Sequence, residues 1–126
     1  MTQSLWRKLE TGCLAPREFT HAAHVEAAFE LLGEAPLGEA IDRYSVALKR
    51  FAAAAGVPGK YHETVTVAFL ALVAERRAEG AVPSFDDFRQ AHPDLFDKDV
   101  LARYYDPRLL ADDKARRVFL LPRQAL

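Results

Sequence analysis

The sequence predicts an all-α fold: a compact bundle of three long helices followed by several short C-terminal ones. Apolar residues recur at helical spacing over long segments, residues that start and stop helices flank those segments, and no set of segments shows the β-branched alternation of a sheet. The first long helix runs from a Thr20 cap to Leu32, with Val25, Ala28, Phe29 and Leu32 on one face and Gly33 expected to end it in the left-handed region. The second spans about Gly38 to Ala55, with Ile41, Tyr44, Leu48, Phe51 and Ala55 on one stripe and Gly56 and Pro58 as its stop. The third begins near Tyr61 and continues to Arg77 before Gly80. It is apolar nearly all round in its middle, as expected of the central helix of a bundle.

Ahead of these stands a short segment carrying Trp6 and Leu9, to which no element is assigned. Behind them Ser84 caps a turn or two through Phe85 and Phe88, which His92-Pro93 ends. Short helices are expected over Lys98 to Tyr105, over Pro107 to Leu110 after Asp106, and over Asp113 to Val118 after Asp112. A buried strand over Val65 to Val73 is the one rival reading, and it would lack partners.

No repeat or linker divides the chain, so residues 1–126 read as a single helical domain, long enough to bury one core without metal or disulfide staples. Seventeen basic residues against 18 acidic ones leave a net charge of −1, and no basic stripe forms, so nucleic acid is not an expected partner. Cys13 is the sole cysteine, and MTQSLWRKLETG has charges where a signal peptide or membrane start needs an apolar run. The longest apolar stretch, Val65 to Ala74, is about half of what a bilayer crossing requires. The expectation is a cytoplasmic chain with no membrane partner.

The polar residues at two helix starts carry the functional expectation. His21 and His24 stand three apart and share a side with Val25 and Ala28, so neither lies plainly on the solvent face. The third helix opens Tyr61-His62-Glu63-Thr64-Val65-Thr66, five polar side chains in six positions just before a run that must be buried. An exposed first turn, with Glu63 favoured by the helix dipole, is one reading of that hexapeptide. In the other, the two helix starts meet and His21, His24, His62 and Glu63 line one pocket. His21, His24 and His62 are then ligands for a divalent metal such as zinc, iron, nickel or manganese, with Glu63 a further ligand or the base acting on bound water.

A version without metal uses the same residues. Glu63 orients a histidine that acts as general base, and Tyr61 donates a proton or hydrogen bond to a small-molecule substrate. A third reading has no turnover at all: the polar residues form the hydrogen-bonded core of a ligand-binding or protein-interaction module. Cys13 reads as an apolar filler before it reads as a nucleophile, and His92, in a loop before Pro93, is the histidine least tied to these motifs. The segment Arg103-Tyr104-Tyr105 is expected to pack as a lid, with Arg103 a candidate for binding a carboxylate or phosphate.

The chain resembles an uncharacterised family of small bacterial helical proteins with Phe-Thr-His-x-x-His-hydrophobic, here Phe19 to Val25, and Tyr-His-Glu-Thr-x-Thr, here Tyr61 to Thr66. A Tyr-Tyr segment followed by Arg-Leu, here Tyr104 to Leu109, completes the pattern, so the likeness covers most of the chain. It departs at the end, where the family has an acidic Pro-Asp and this chain has Leu121-Pro122-Arg123. The resemblance implies that the two motifs act together and assigns them no substrate.

Overall fold

The computed structural model describes residues 3–80 and 84–123, and every regular element among them is helical. Helix α1 (Leu5–Thr11) begins where the Ser4 side chain accepts a hydrogen bond from the Arg7 amide and ends at Gly12, whose φ of 78° is the left-handed turn that side chains resist. The Cys13 amide reaches back to the Lys8 carbonyl and the Gly12 amide to that of Leu9, completing the cap. This helix was not legible as one: with only Trp6 and Leu9 buried in seven residues, it is too short for periodicity to register.

Helix α2 (His21–Leu32) starts at Thr20, whose hydroxyl accepts from the Ala23 amide. Its end corrects one expectation, because Gly33 stays right-handed at φ −76°. A neighbour crowds the position instead: a Cβ on Gly33 would lie 3.0 Å from Nη2 of Arg77, whose guanidinium covers the Phe29 ring at 4.3 Å and would have to give slightly. Helix α3 (Leu37–Ala54) follows Pro36 and stops before Gly56, which is left-handed at φ 78°.

Helix α4 (Glu63–Arg77) is followed by α5 (Phe85–Ala91), α6 (Pro107–Leu110) and α7 (Asp113–Arg117), capped by Ser84, Asp106 and Asp112 through side-chain bonds to backbone amides. Short 3-10 turns occupy Pro58–Lys60, Pro93–Phe96 and Val100–Arg103. The last replaces the helix expected over Lys98 to Tyr105, because the Asp97 carboxylate takes the Asp99 amide and delays the start of the turn. Five of the α-helices, α1 to α5, have seven residues or more, so the chain is all-α without reducing to three long helices.

Two helices share the centre. Helix α2 packs on α1, α3, α4 and α5 and buries Val25, Ala27, Ala28 and Leu31 completely, while α4 packs on α2, α3 and α7. The expectation that the third long helix alone is central is therefore corrected: Ala71 on α4 is exposed and Val67 half-exposed. Arg76 of α4 grips Asp94 bidentately at 2.9 and 2.7 Å, and Nη1 of Arg103 adds a bond of 3.0 Å to the same carboxylate. That grip fixes the 93–103 segment along α4.

The C-terminal segment is fixed by Thr64, whose side chain is wholly buried. Its hydroxyl proton lies between the carbonyls of Ala115 at 2.7 Å and Val118 at 2.8 Å, and its oxygen accepts from the Leu120 amide at 3.1 Å. Tyr105 supports the same tail, donating from its hydroxyl to the Leu120 carbonyl at 2.8 Å. Removing the Thr64 hydroxyl leaves a buried amide without its acceptor, so Thr64→Val, nearly the same shape, is expected to cost about 1–3 kcal/mol, and Thr64→Ser to keep the hydrogen bonds. Urea unfolding of the two variants checks this: a Thr64→Val protein as stable as the parent would contradict it.

Candidate functional site

The start of α4 is built from its own polar residues. His62 precedes the helix in an extended conformation, and its ring Nδ1 accepts the Val65 amide at 3.1 Å, so the imidazole takes the place of a Ser or Asp cap. An Nδ1 that accepts leaves the proton of the neutral ring on Nε2, which donates to the Leu110 carbonyl at 2.7 Å. Thr66 donates to the His62 carbonyl at 2.8 Å, and the Tyr61 hydroxyl donates to the Glu63 carboxylate at 2.5 Å while Lys49 lies 5.0 Å over the tyrosine ring. Burial, and then the bond to Glu63, push the Tyr61 phenol up to about 12.

Beside this helix start lies a cavity of about 560 Å³, closed in by the start of α2, one side of α3, the turn before α4, the start of α4 and the segment 98–101. Its walls are mainly apolar: Phe19, Leu48, Phe51, Val65, Phe69 and Leu101. Tyr44 is buried beneath them, donating from its hydroxyl to the His24 carbonyl at 3.0 Å. Pro16, Val57, Lys60 and Lys98 are exposed and form the rim.

The two helix starts do meet, and His21, His24 and His62 all line this cavity. They do so in three different ways. His21 donates from Nε2 to the Leu95 carbonyl at 2.9 Å and stands edge-on to Phe69, with ring centroids 5.6 Å apart. His62 is engaged at both nitrogens, as described. His24 lies flat on Phe19, centroids 3.7 Å apart and planes 10° from parallel, and neither of its ring nitrogens has a partner among the described residues. Burial, and secondarily the nearby His21, lower the His24 pKa to about 4, so its imidazole is neutral at physiological pH.

Tyr61 lines the cavity as well, and the other expected site residues lie elsewhere. Glu63 is not part of the cavity wall and instead accepts from Tyr61. Cys13 is exposed away from the cavity, and His92 receives a 3.3 Å bond from Arg76. Arg103, Tyr104 and Tyr105 do not line it either: Arg103 is taken by Asp94, Tyr104 is exposed and Tyr105 holds the tail. The segment just before them supplies the wall instead, through Lys98, Val100 and Leu101. Lys60 and Lys98 carried no signal in the sequence, where a loop lysine looks like any solvated residue.

Among the described residues no three His, Cys, Asp or Glu side chains converge as a ligand set. His62 has no lone pair to offer while Nδ1 caps α4 and Nε2 holds Leu110.

No protein-family model, curated protein or solved structure matches this chain significantly. Among the described residues no helix is long and apolar enough to cross a membrane.

The His24 environment makes a signed prediction. An unfolded imidazole titrates near 6.5 and the folded one near 4, so on acidification the unfolded chain takes up the proton first and stability falls between those values. The loss reaches up to about 3 kcal/mol at the lower end. Asp94, held at about 2 chiefly by its hydrogen bonds to Arg76, adds a separate loss below its ordinary 3.8. Urea unfolding at pH 7 and pH 4.5 is expected to show the first loss in the parent and its absence in His24→Phe; an equal loss in both would place its source elsewhere.

Proposed function

We propose that this chain is a small-molecule-binding helical domain whose ligand occupies the cavity between the starts of α2 and α4. The single observation that carries the reading is the neutral His24 ring, stacked on Phe19 and facing a mainly apolar cavity of about 560 Å³, with no partner for either nitrogen among the described residues. Pockets for small ligands are of this size, mostly apolar, with a few polar groups that orient the guest. A neutral imidazole offers one donor and one acceptor, so His24 is the group that reads a ligand's polar atom, while Phe19, Phe51 and Phe69 take its flat or apolar body.

Binding is favoured over acid–base turnover because His62 is engaged at both ring nitrogens, and the other two candidates for proton transfer are not matched to neutral pH. His24 at about 4 is a weak base, and Tyr61 at about 12 is a weak acid already donating to Glu63. The metal-dependent alternative would require His62 to give up both of its hydrogen bonds. A cytoplasmic setting suits the reading, since the one cysteine forms no intrachain disulfide.

A neutral probe tests this without assuming a charged ligand. N-phenyl-1-naphthylamine is expected to bind saturably with one site per chain, its fluorescence rising as it leaves water. Ala55→Phe and Val65→Phe, which put aromatic volume into the cavity, are each expected to weaken binding about tenfold or more while thermal melts confirm folded protein. Non-saturating fluorescence, or equal affinity in folded cavity-filled variants, would refute the assignment. In the same preparations, stoichiometric metal in untagged protein that is lost in His62→Ala would support the metal-dependent reading instead.

A further inference from the structure

Resting on the reading of the cavity as a ligand site, we infer that its guest is an apolar organic anion of carboxylate type, with its hydrophobic body inside and its charged head at the rim between Lys60 and Lys98. The charge of the wall supplies the argument. The chain as a whole has 18 acidic and 17 basic residues, yet no Asp or Glu lines the cavity, whereas two lysines do. Both lysines are exposed, and neither makes an ion pair among the described residues.

Six arginines are ion-paired among the described residues and no lysine is, so what sets Lys60 and Lys98 apart is their place at the cavity. Arg43 is shared by Glu10, Glu34 and Glu39, Arg76 and Arg103 by Asp94, and Arg108 and Arg117 each have an aspartate. Lys49, near the same cavity, is turned onto the Tyr61 ring. Lys60 and Lys98 alone among the cavity residues present full positive charges, at the solvent-exposed mouth of a largely apolar volume, where they attract an anion and repel a cation through a salt-sensitive field. Of the acidic residues adjacent in sequence to the wall, Glu63 is turned to Tyr61, Asp97 accepts the Asp99 amide and Glu18 the Ala15 amide, and none of them, Asp99 included, pairs with Lys60 or Lys98 among the described residues.

Lys60 sits at the end of the Pro58–Lys60 turn, and Lys98 precedes the Val100–Arg103 turn. Their backbones are therefore set by the two segments that close the cavity, and their side chains are free to follow a head group. An ammonium supplies a point charge with rotatable donors, which suits a compact carboxylate and does not demand the fixed fork of an arginine.

Three naphthalene probes of the same shape separate the possibilities by calorimetry on the full chain: 1-naphthoate, its neutral isostere 1-naphthamide, and the cation 1-naphthylmethylammonium. The expected order is carboxylate tightest, amide about five- to tenfold weaker, and the cation weakest, with the carboxylate advantage shrinking as salt rises. The double variant Lys60→Gln/Lys98→Gln is expected to bring the carboxylate down to the amide and leave the amide unchanged. Lys114→Gln, on α7 and outside the cavity wall, is expected to change neither. A carboxylate preference that survives the double variant would overturn the inference, as would a preference for the cation. Equal binding of all three probes would overturn it while leaving the cavity reading intact, and no binding of any probe would overturn both.

Discussion

The start of α4 is the constraint on which the rest of this structure depends. A helix that must bury Phe69, Leu70, Leu72 and Val73 begins with a run of polar side chains, and each must find a partner or impose a desolvation cost. The solution is mutual. The His62 ring satisfies an amide of the first turn and then a carbonyl of α6, and Thr64 binds two carbonyls and an amide of the C-terminal segment. Thr66 closes back on His62, and Glu63 takes the Tyr61 hydroxyl. Residues 105–120 pack against the bundle because α4 presents the matching donors and acceptors.

This arrangement divides the polar motif by role. His62 and Thr64 hold backbone, and their geometry leaves them little freedom to do anything else. The same clamp holds residues 110–120 on the start of α4, while the Arg76–Asp94 pair draws the 93–103 segment alongside the helix. The cavity lies beside this helix start, and the histidine in it without a partner among the described residues comes from the other motif: His24, on α2. On the proposed reading such a site needs no mobile parts, because much of its wall is helix and the His24 ring is stacked on Phe19.

Much of the fold was legible in the sequence for physical reasons. Thr20, Ser84, Asp106 and Asp112 are caps whose side chains do what their chemistry suggests, and the apolar stripes of α2 and α3 are long enough to reveal their period. Helix α1 escaped because it is short, and Gly33 ends α2 in the right-handed region, with the side chain of Arg77, 44 positions away in sequence, packed close to it. The site was legible in part. Two helix starts bearing histidines did converge on one cavity, but convergence of Cα traces does not decide which way a ring nitrogen points. His62 reads like a ligand in sequence because an imidazole cap and an imidazole ligand use the same lone pair. The rim lysines were illegible, since nothing in a sequence distinguishes a lysine facing a cavity from one facing water.

The central claim is that His62 is a structural residue held in one tautomer, with Nδ1 accepting and Nε2 donating. Long-range nitrogen–proton correlation spectra of protein labelled at histidine with nitrogen-15 test it most directly, recorded at neutral pH before and after addition of zinc. The structure predicts an Nε2-protonated His62 whose resonances stay put when zinc is added. A proton on Nδ1, or a zinc-induced shift of the His62 nitrogens at one equivalent of metal, would contradict it.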